Sequence, residues 1–545
     1  MAKQRGLIYT FGSYRLGAHK PGGDIDVLCV GPQHCTREAH FFGSDTSCLE
    51  TILRAHPDVK EVQPVPGAFI PVMRVDFDGI DLDIIFAPLP MAEMPDGIDW
   101  REDWMLRGVD ERTANTLNGT RVTDAVLSLV PNRDGFHAAL KLIKTWAENR
   151  GIYANKLGFL GGINCAILVA KICQWWPNAA AAKIVSRFFE MFSNWTWPRA
   201  VLLTRIDYSN TLGHKVWFHQ GYHNPYWDVA PIITPVYPAF NSTHNVSLAT
   251  REVMVEEFRR GKAVCDQIFG SECPDFGRLC EPFDFFSEFR KFLCVKISGK
   301  DAESFKRWQG WVVARLRLLV QSIQELMCVR PWPEELTPGP GEDEDGEEGP
   351  RCYLFLGVTK RKHPLFEWSP EPSKQVALTQ PVESWIGKLY EFSDYVEGRI
   401  RNVSVSVNIV AAEKLPPWVA KARSRGGARG LAGSDTGLGR GGALGVDGEG
   451  GDPNPRGGKR VKYLHGGGRG RGKENEGEDG SAAEEESGSG QGRVGEGPSA
   501  PATCRTGGRQ TGTSGTQDAP ILQSNLTGEL QALGVTEADL GKSGG

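Results

Sequence analysis

Two stretches of this sequence carry residue types that could do chemistry together. The first is Phe11-Gly-Ser-Tyr-Arg-Leu-Gly17, followed by Asp24-Ile-Asp26. A Gly-Ser step after a strand puts small residues and free backbone N–H groups where a phosphate can approach. Asp24 and Asp26 stand at i and i+2, so on an extended segment both carboxylates point to one side. Facing anions repel unless a cation lies between them. Mg2+ suits them, because it prefers carboxylate and phosphate oxygens. The second stretch is Phe77-Asp-Gly-Ile-Asp-Leu-Asp-Ile-Ile-Phe-Ala87. In it Leu82, Ile84 and Phe86 alternate towards a core, and Asp81 and Asp83 alternate the other way. An acid within an apolar strand is costly unless paired. One of these two therefore qualifies as the third carboxylate of a two-metal phosphoryl-transfer site. A lone Gly-Ser is usually a turn, and a lone Asp-x-Asp is usually a solvated face. Their combination, in this order and spacing, points to nucleotidyl transfer.

The elements that must position these residues are legible in part. Strands are expected at 7–11 and 25–30. Residues 72–77 and 80–86 flank Asp78-Gly79, a strong hairpin signal. From 134 to 149 the apolar residues Phe136, Leu140, Ile143 and Ala147 recur at helical spacing. Further helices are expected near 163–174, 180–192, 250–268 and 301–327. Strands return at 353–359 and 404–410. The order is α/β, then mostly α, then α+β.

Composition sets the outer limits. The chain has 545 residues, with 62 Lys plus Arg against 67 Asp plus Glu, a net charge of −5 that argues for no particular partner. No run of 18 apolar residues occurs and no signal-peptide pattern opens the chain, so a soluble protein without a membrane association is expected. The twelve cysteines form no CxxC pair, which argues against a zinc site and for reduced thiols. Of the 66 glycines, 35 fall in 421–545. That segment holds one aromatic residue, Tyr463, and is expected to be disordered, because it cannot bury enough apolar surface to offset its ordering entropy. Its basic pieces, 421–429, 459–462 and 469–473, read as solvated linker, or as nuclear import signals or loose RNA contacts. An acidic loop at 341–348 reads as a solvated insertion.

The fuller strings resemble the eukaryotic nuclear poly(A) polymerases, within the nucleotidyltransferase superfamily that includes DNA polymerase beta. They are the two stretches above with Leu117-Asn-Gly-Thr-Arg-Val-Thr-Asp124, Gly158-Phe-Leu-Gly-Gly-Ile163, Pro231-Ile-Ile-Thr-Pro235 and Val253-Met-Val-Glu-Glu-Phe258. The likeness runs over about 7–330, thins towards 415 and is absent from the tail.

The resemblance implies an α/β nucleotidyltransferase domain at 1–118 and a mostly α central domain at 119–265. After them it implies an α+β, RRM-like RNA-binding domain at 266–415; the tail, expected from its composition to be disordered, is bounded at 416–545. It implies addition of AMP from ATP to RNA 3′ ends without a template, with two Mg2+ or Mn2+ ions, in the nucleus, by a monomer that works with cleavage and polyadenylation factors. Asp24, Asp26 and Asp83 match the metal-binding aspartates, and Asp81 matches a non-ligand acid. Phe11, Gly12, Ser13 and Ile25 match the ATP-lining segments. Lys20 falls at a nucleotide-contacting position where vertebrate members carry Thr. Asn118, Lys144, Tyr153, Gly162 and Ile163 match ATP contacts from the second domain, and Phe69 matches an RNA contact.

Without the resemblance, Lys144 reads as a surface lysine, Tyr153 as core, and Gly161-Gly162 as close backbone packing. Two departures are evident. Family members carry helices before the Phe-Gly-Ser-Tyr strand, and the acidic insert falls where the third domain is expected to begin its sheet. The competing functions are transfer of CCA, uridylate or 2′–5′ linkages, an inactive RNA-binding scaffold, and a structural protein. The last leaves the carboxylates unexplained.

Overall fold

The computed structural model describes residues 6–419, apart from 69, 95–96, 210–211, 220–227, 340–341, 343–348 and 361–375. Phe69, the acidic insert other than Glu342, and the tail from 420 lie outside the described residues.

The amino-terminal layer is a five-stranded mixed sheet. Its elements in chain order are β1 (Leu7–Thr10), the single turn α1 (Gly12–Arg15), β2 (Ile25–Gly31), α2 (Leu49–Arg54), β3 (Val59–Val65), β4 (Val72–Phe77) and β5 (Ile80–Pro88). The strand order is β1-β2-β5-β4-β3. Asp78 and Gly79 both take positive φ, 51° and 80°, as the expected tight hairpin demands. Strands β2 and β5 run parallel and place Asp26 opposite Asp83. Both faces of this sheet are covered. Ile84 and Phe86 join Val62, Met73 and Val75 on one side. Leu28, Val30, Ile85 and Ala87 pack beneath Ala114 and Leu117 on the other. By the two-residue alternation, Asp26 and Asp83 belong to this second face.

Five helices follow: α3 (Glu111–Leu129), α4 (Arg133–Asn149), α5 (Gly162–Trp175), α6 (Ala181–Ser193) and α7 (Leu248–Phe269), then the single turn α8 (Phe285–Glu288). Side-chain caps start three of them: Asp110 accepts from Thr113 N, Asn132 from Gly135 N, and Ser247 forms a capping box with Thr250. Helix α3 is absent from the sequence expectations. It buries Thr113, Thr116, Asn118, Thr120, Arg121 and Thr123, so it has no clean apolar stripe to find.

The last layer runs β6 (Lys291–Gly299), α9 (Ala302–Ile323), β7 (Cys328–Pro331), β8 (Arg351–Thr359), α10 (Thr379–Leu389), the turn α11 (Ser393–Val396) and β9 (Val403–Ala411). The sheet order is β7-β8-β6-β9, antiparallel throughout. This is the RRM-like βαββαβ arrangement. Here the sheet begins at Lys291, ahead of the acidic insert, which lies between β7 and β8. Leu293, Val295, Ile297, Leu354 and Leu356 share one continuous core with helices α3 to α7, α9 and α10. The opposite face is closed by Phe285, Phe286, Trp332 and Trp418 over Phe292, Cys294, Tyr353 and Phe355. Trp418 and Val419 are buried, which corrects a tail starting at 416. Both join the apolar cluster of Phe285, Phe286 and Trp332.

No helix among the described residues is long and apolar enough to cross a membrane. The eleven described cysteines are free thiols.

Candidate active site

A cleft of about 500 Å3 opens where the first sheet meets the central helices. Phe11, Gly12, Ser13, Lys20, Asp24 and Asp26 line it from the sheet side. Asn118, Lys144, Tyr153, Gly162 and Ile163 line it from the helices. Asp83 does not line the cleft; it stands opposite Asp26 on the neighbouring strand. Ile25 does not line the cleft; it lies within β2 opposite Leu82.

The turn after β1 is shaped by two close approaches. The Phe11 amide donates to the Asp26 carbonyl at 3.0 Å, anchoring the turn to β2. Gly12 has φ +60°, and a Cβ there would stand 2.0 Å from Asp26 Oδ2, so no larger residue fits. The Phe11 ring lies against Gly119 of α3, where a Cβ would come within 2.8 Å of it. Across the cleft, a Cβ on Gly162 would stand 3.0 Å from the Tyr153 hydroxyl.

Electrostatically the sheet side is an anion cluster. Burial, then Asp24 and Asp83, push the Asp26 carboxyl up to about 7. Burial also raises Asp83, although Arg74 opposes the shift from 3.7 Å. Among the described residues, no three acid, His or Cys side chains already stand in metal-ligating geometry. The two observations differ because charges couple over longer distances than ligation allows. Mutual repulsion holds such carboxylates apart until a cation stands between them.

The helix side answers with one cation, Lys144, and one anion, Glu148. Lys144 is 6% exposed, no ordinary surface lysine. Its Nζ donates to the Ala18 carbonyl at 2.9 Å and lies 5.8 Å from the Tyr153 ring centre. Burial lowers its pKa, opposed by Asp24 and Asp26. Burial raises the Tyr153 phenol. Lys20 pairs with Glu148 of α4, which also lines the cleft. Asn118 is 2% exposed, and neither of its side-chain polar atoms has a partner among the described residues. A buried amide left so calls for a partner, which water or a bound molecule can supply.

Sequence reasoning missed Glu148, Gly119, Thr123, Thr234 and Phe240, which also line the cleft. Gly119, Thr123 and Thr234 fall within the strings that carry the resemblance, and Glu148 stands four residues beyond Lys144, so on the same helix face.

Three family models match in chain order. They are the poly(A) polymerase nucleotidyltransferase domain over 1–130, the poly(A) polymerase central domain over 135–281, and the poly(A) polymerase predicted RNA binding domain over 284–335. The chain belongs to the poly(A) polymerase family. It is 38% identical over 417 residues to nuclear poly(A) polymerase 1 of Arabidopsis thaliana, covering 76% of this chain and 55% of that protein. It is 37% identical over 419 residues to a poly(A) polymerase of Dictyostelium discoideum, covering 76% and 50%. The chain thus spans about half the length of the curated relatives it matches. Among solved structures, Cid1 in complex with its short product ApU superposes with a TM-score of 0.36 at 14% identity, over 52% of this chain and 87% of that one.

Proposed function

We propose that this chain is a polynucleotide adenylyltransferase that adds AMP from ATP to RNA 3′ ends without a template, in the nucleus. The observation that carries the reading is a single cleft. It gathers Asp24 and Asp26, beside Asp83, with Phe11, Gly12, Ser13, Lys20, Asn118, Lys144, Tyr153, Gly162 and Ile163. Catalytic, ATP-closing and RNA-binding divisions at 1–118, 119–265 and 266–415 accord with it, as does a monomer that meets cleavage and polyadenylation factors.

Asp24, Asp26 and Asp83 form an all-oxygen donor set suited to hard divalent cations, Mg2+ or Mn2+, in a pair. The raised pKa of Asp26 fits this assignment, since anions buried together call for a counter-charge. Two such ions supply acidity to the RNA 3′-hydroxyl and charge neutralisation to the departing pyrophosphate. The chain's own groups do the rest. Gly12 and Ser13 let the backbone approach the phosphates. Lys144 and Lys20 offer ammonium groups to the triphosphate. Phe11, Tyr153 and Ile163 wall the nucleotide, and the unpaired Asn118 amide fixes its base or sugar. Phe69 is assigned to RNA by family position alone.

Incubation of labelled oligo(A) with each nucleoside triphosphate in turn, with Mg2+ or Mn2+, tests this directly. Extension with ATP above the others is expected. Asp83→Ala should slow it at least about a hundredfold, and Lys144→Ala should raise the KM for ATP more than that for RNA. Near-normal extension by Asp83→Ala would sink the metal assignment, and preference for UTP would move the chain to another transferase class.

A further inference from the structure

Glu148 is an anion in a wall whose other charged helix residue, Lys144, is a cation. On the adenylyltransferase reading, a bare carboxylate there would repel the triphosphate. Its partner is Lys20, which comes from the other side of the cleft. Lys20 sits in the loop between α1 and β2, and Glu148 in the last turn of α4. The same helix grips this loop twice more. Lys144, one turn earlier, donates to the Ala18 carbonyl at 2.9 Å. The His137 ring packs against Gly17, where a Cβ would lie 3.3 Å from Nε2. Spacings of seven and four put His137, Lys144 and Glu148 on one helix face. The loop itself carries Gly17, Gly22 and Gly23, which makes its ordering entropically costly. Its own backbone bonds include Ala18 N to Ser13 O and Gly23 N to Lys20 O, both 3.0 Å. It ends on Asp24.

We infer that Glu148 is a positioning residue. It ties Lys20, and with it the glycine-rich loop leading to Asp24, to α4, so that the Lys20 ammonium stands beside Lys144 at the triphosphate end of the cleft. The pair works as a unit: Glu148 orients Lys20, and Lys20 neutralises Glu148 so that the wall accepts a polyanion. Because both partners are partly exposed, exchanging their charges leaves the fold in place and preserves the tie.

The test is a charge-exchange cycle on the full chain: Lys20→Glu, Glu148→Lys, and the two together. Two quantities are read, the affinity for ATP in Mg2+ by calorimetry and amide exchange of 17–23 without nucleotide. Lys20→Glu, which leaves two carboxylates in the wall, is expected to weaken ATP binding about tenfold. Glu148→Lys, which breaks the tie but removes an anion, is expected to change affinity less. Both are expected to speed exchange across the loop. The double exchange is expected to bring affinity back to within about threefold of the parent and to restore slow exchange. KM for ATP should follow the same pattern, with kcat changing less. Additive losses, or a loop whose exchange ignores both reversals, would overturn the inference. A parent that binds ATP but extends no primer refutes the polymerase reading while leaving this one intact. If the parent binds no ATP, loop exchange alone still decides whether the tie exists.

Discussion

Asp26 carries the clearest energetic signature of the cleft. Its carboxyl is raised from 3.8 to about 7 by burial first, then by Asp24 and Asp83. Between about pH 4 and 7 the folded protein therefore holds a proton that the unfolded chain has released. The unfolded state binds fewer protons there, so stability falls as pH rises through that window. Asp83 is shifted in the same direction. In chelator, the urea midpoint of the parent should drop between pH 5 and pH 8 by more than that of Asp26→Asn, which cannot ionise. Parallel pH dependences for the two proteins would show that the buried anion is not what burdens the fold. A divalent cation should remove most of the difference by neutralising the same cluster.

At the scale of elements, α3 couples the nucleotide wall to the sheet. Gly119 sits in the middle of this helix, where alanine would ordinarily stabilise by up to about 1 kcal/mol. Its substitution sets that gain against a steric cost, because the new Cβ would stand 2.8 Å from the Phe11 ring. Phe11 can yield only by moving in the cleft, since its backbone is held by the Asp26 carbonyl. Gly119→Ala is therefore expected to keep its melting temperature within a few degrees of the parent and to raise the KM for ATP several-fold. An unchanged KM would show that Phe11 takes no part in the wall. A large fall in melting temperature would show that the ring cannot move at all.

Across the whole molecule, the central helices and the last sheet are bound by more than a shared apolar core. Glu257 of α7 is buried between Arg150 at the end of α4, at 2.8 Å, and Arg330 of β7, at 3.1 Å. Arg330 also donates to the Arg150 carbonyl at 2.7 Å and lies 3.5 Å over the Phe283 ring. Removing the carboxylate leaves two buried guanidinium groups facing each other, a loss of about 3–5 kcal/mol. Glu257→Ala should lower the urea midpoint accordingly. Because the core is continuous from α3 to β9, helix content and tryptophan fluorescence should be lost in one coincident transition. Separate transitions for the helices and the last sheet would show that the two layers fold independently.

The carboxylate pattern and most of the elements can be read from the chain alone. Carboxylates at i, i+2 spacing, the Asp-Gly hairpin and the amphipathic α4 are local patterns, and each follows from backbone geometry within a few residues. Resemblance added the family and named eleven residues of the cleft, and the packed structure added Glu148, Gly119, Thr123, Thr234 and Phe240. Local pattern could not reveal α3, whose buried polar residues hide its periodicity, nor β3 and β6. It left the choice between Asp81 and Asp83 open. The parallel register of β2 and β5 sets Asp83, not Asp81, opposite Asp26, and residues 57 positions apart in the chain pair only when the whole sheet forms. The burial of Lys144, the lone amide of Asn118, and Lys20 meeting Glu148 from 128 positions away are likewise tertiary facts. Each depends on which surfaces the packed helices bring together, and no short stretch of sequence encodes that.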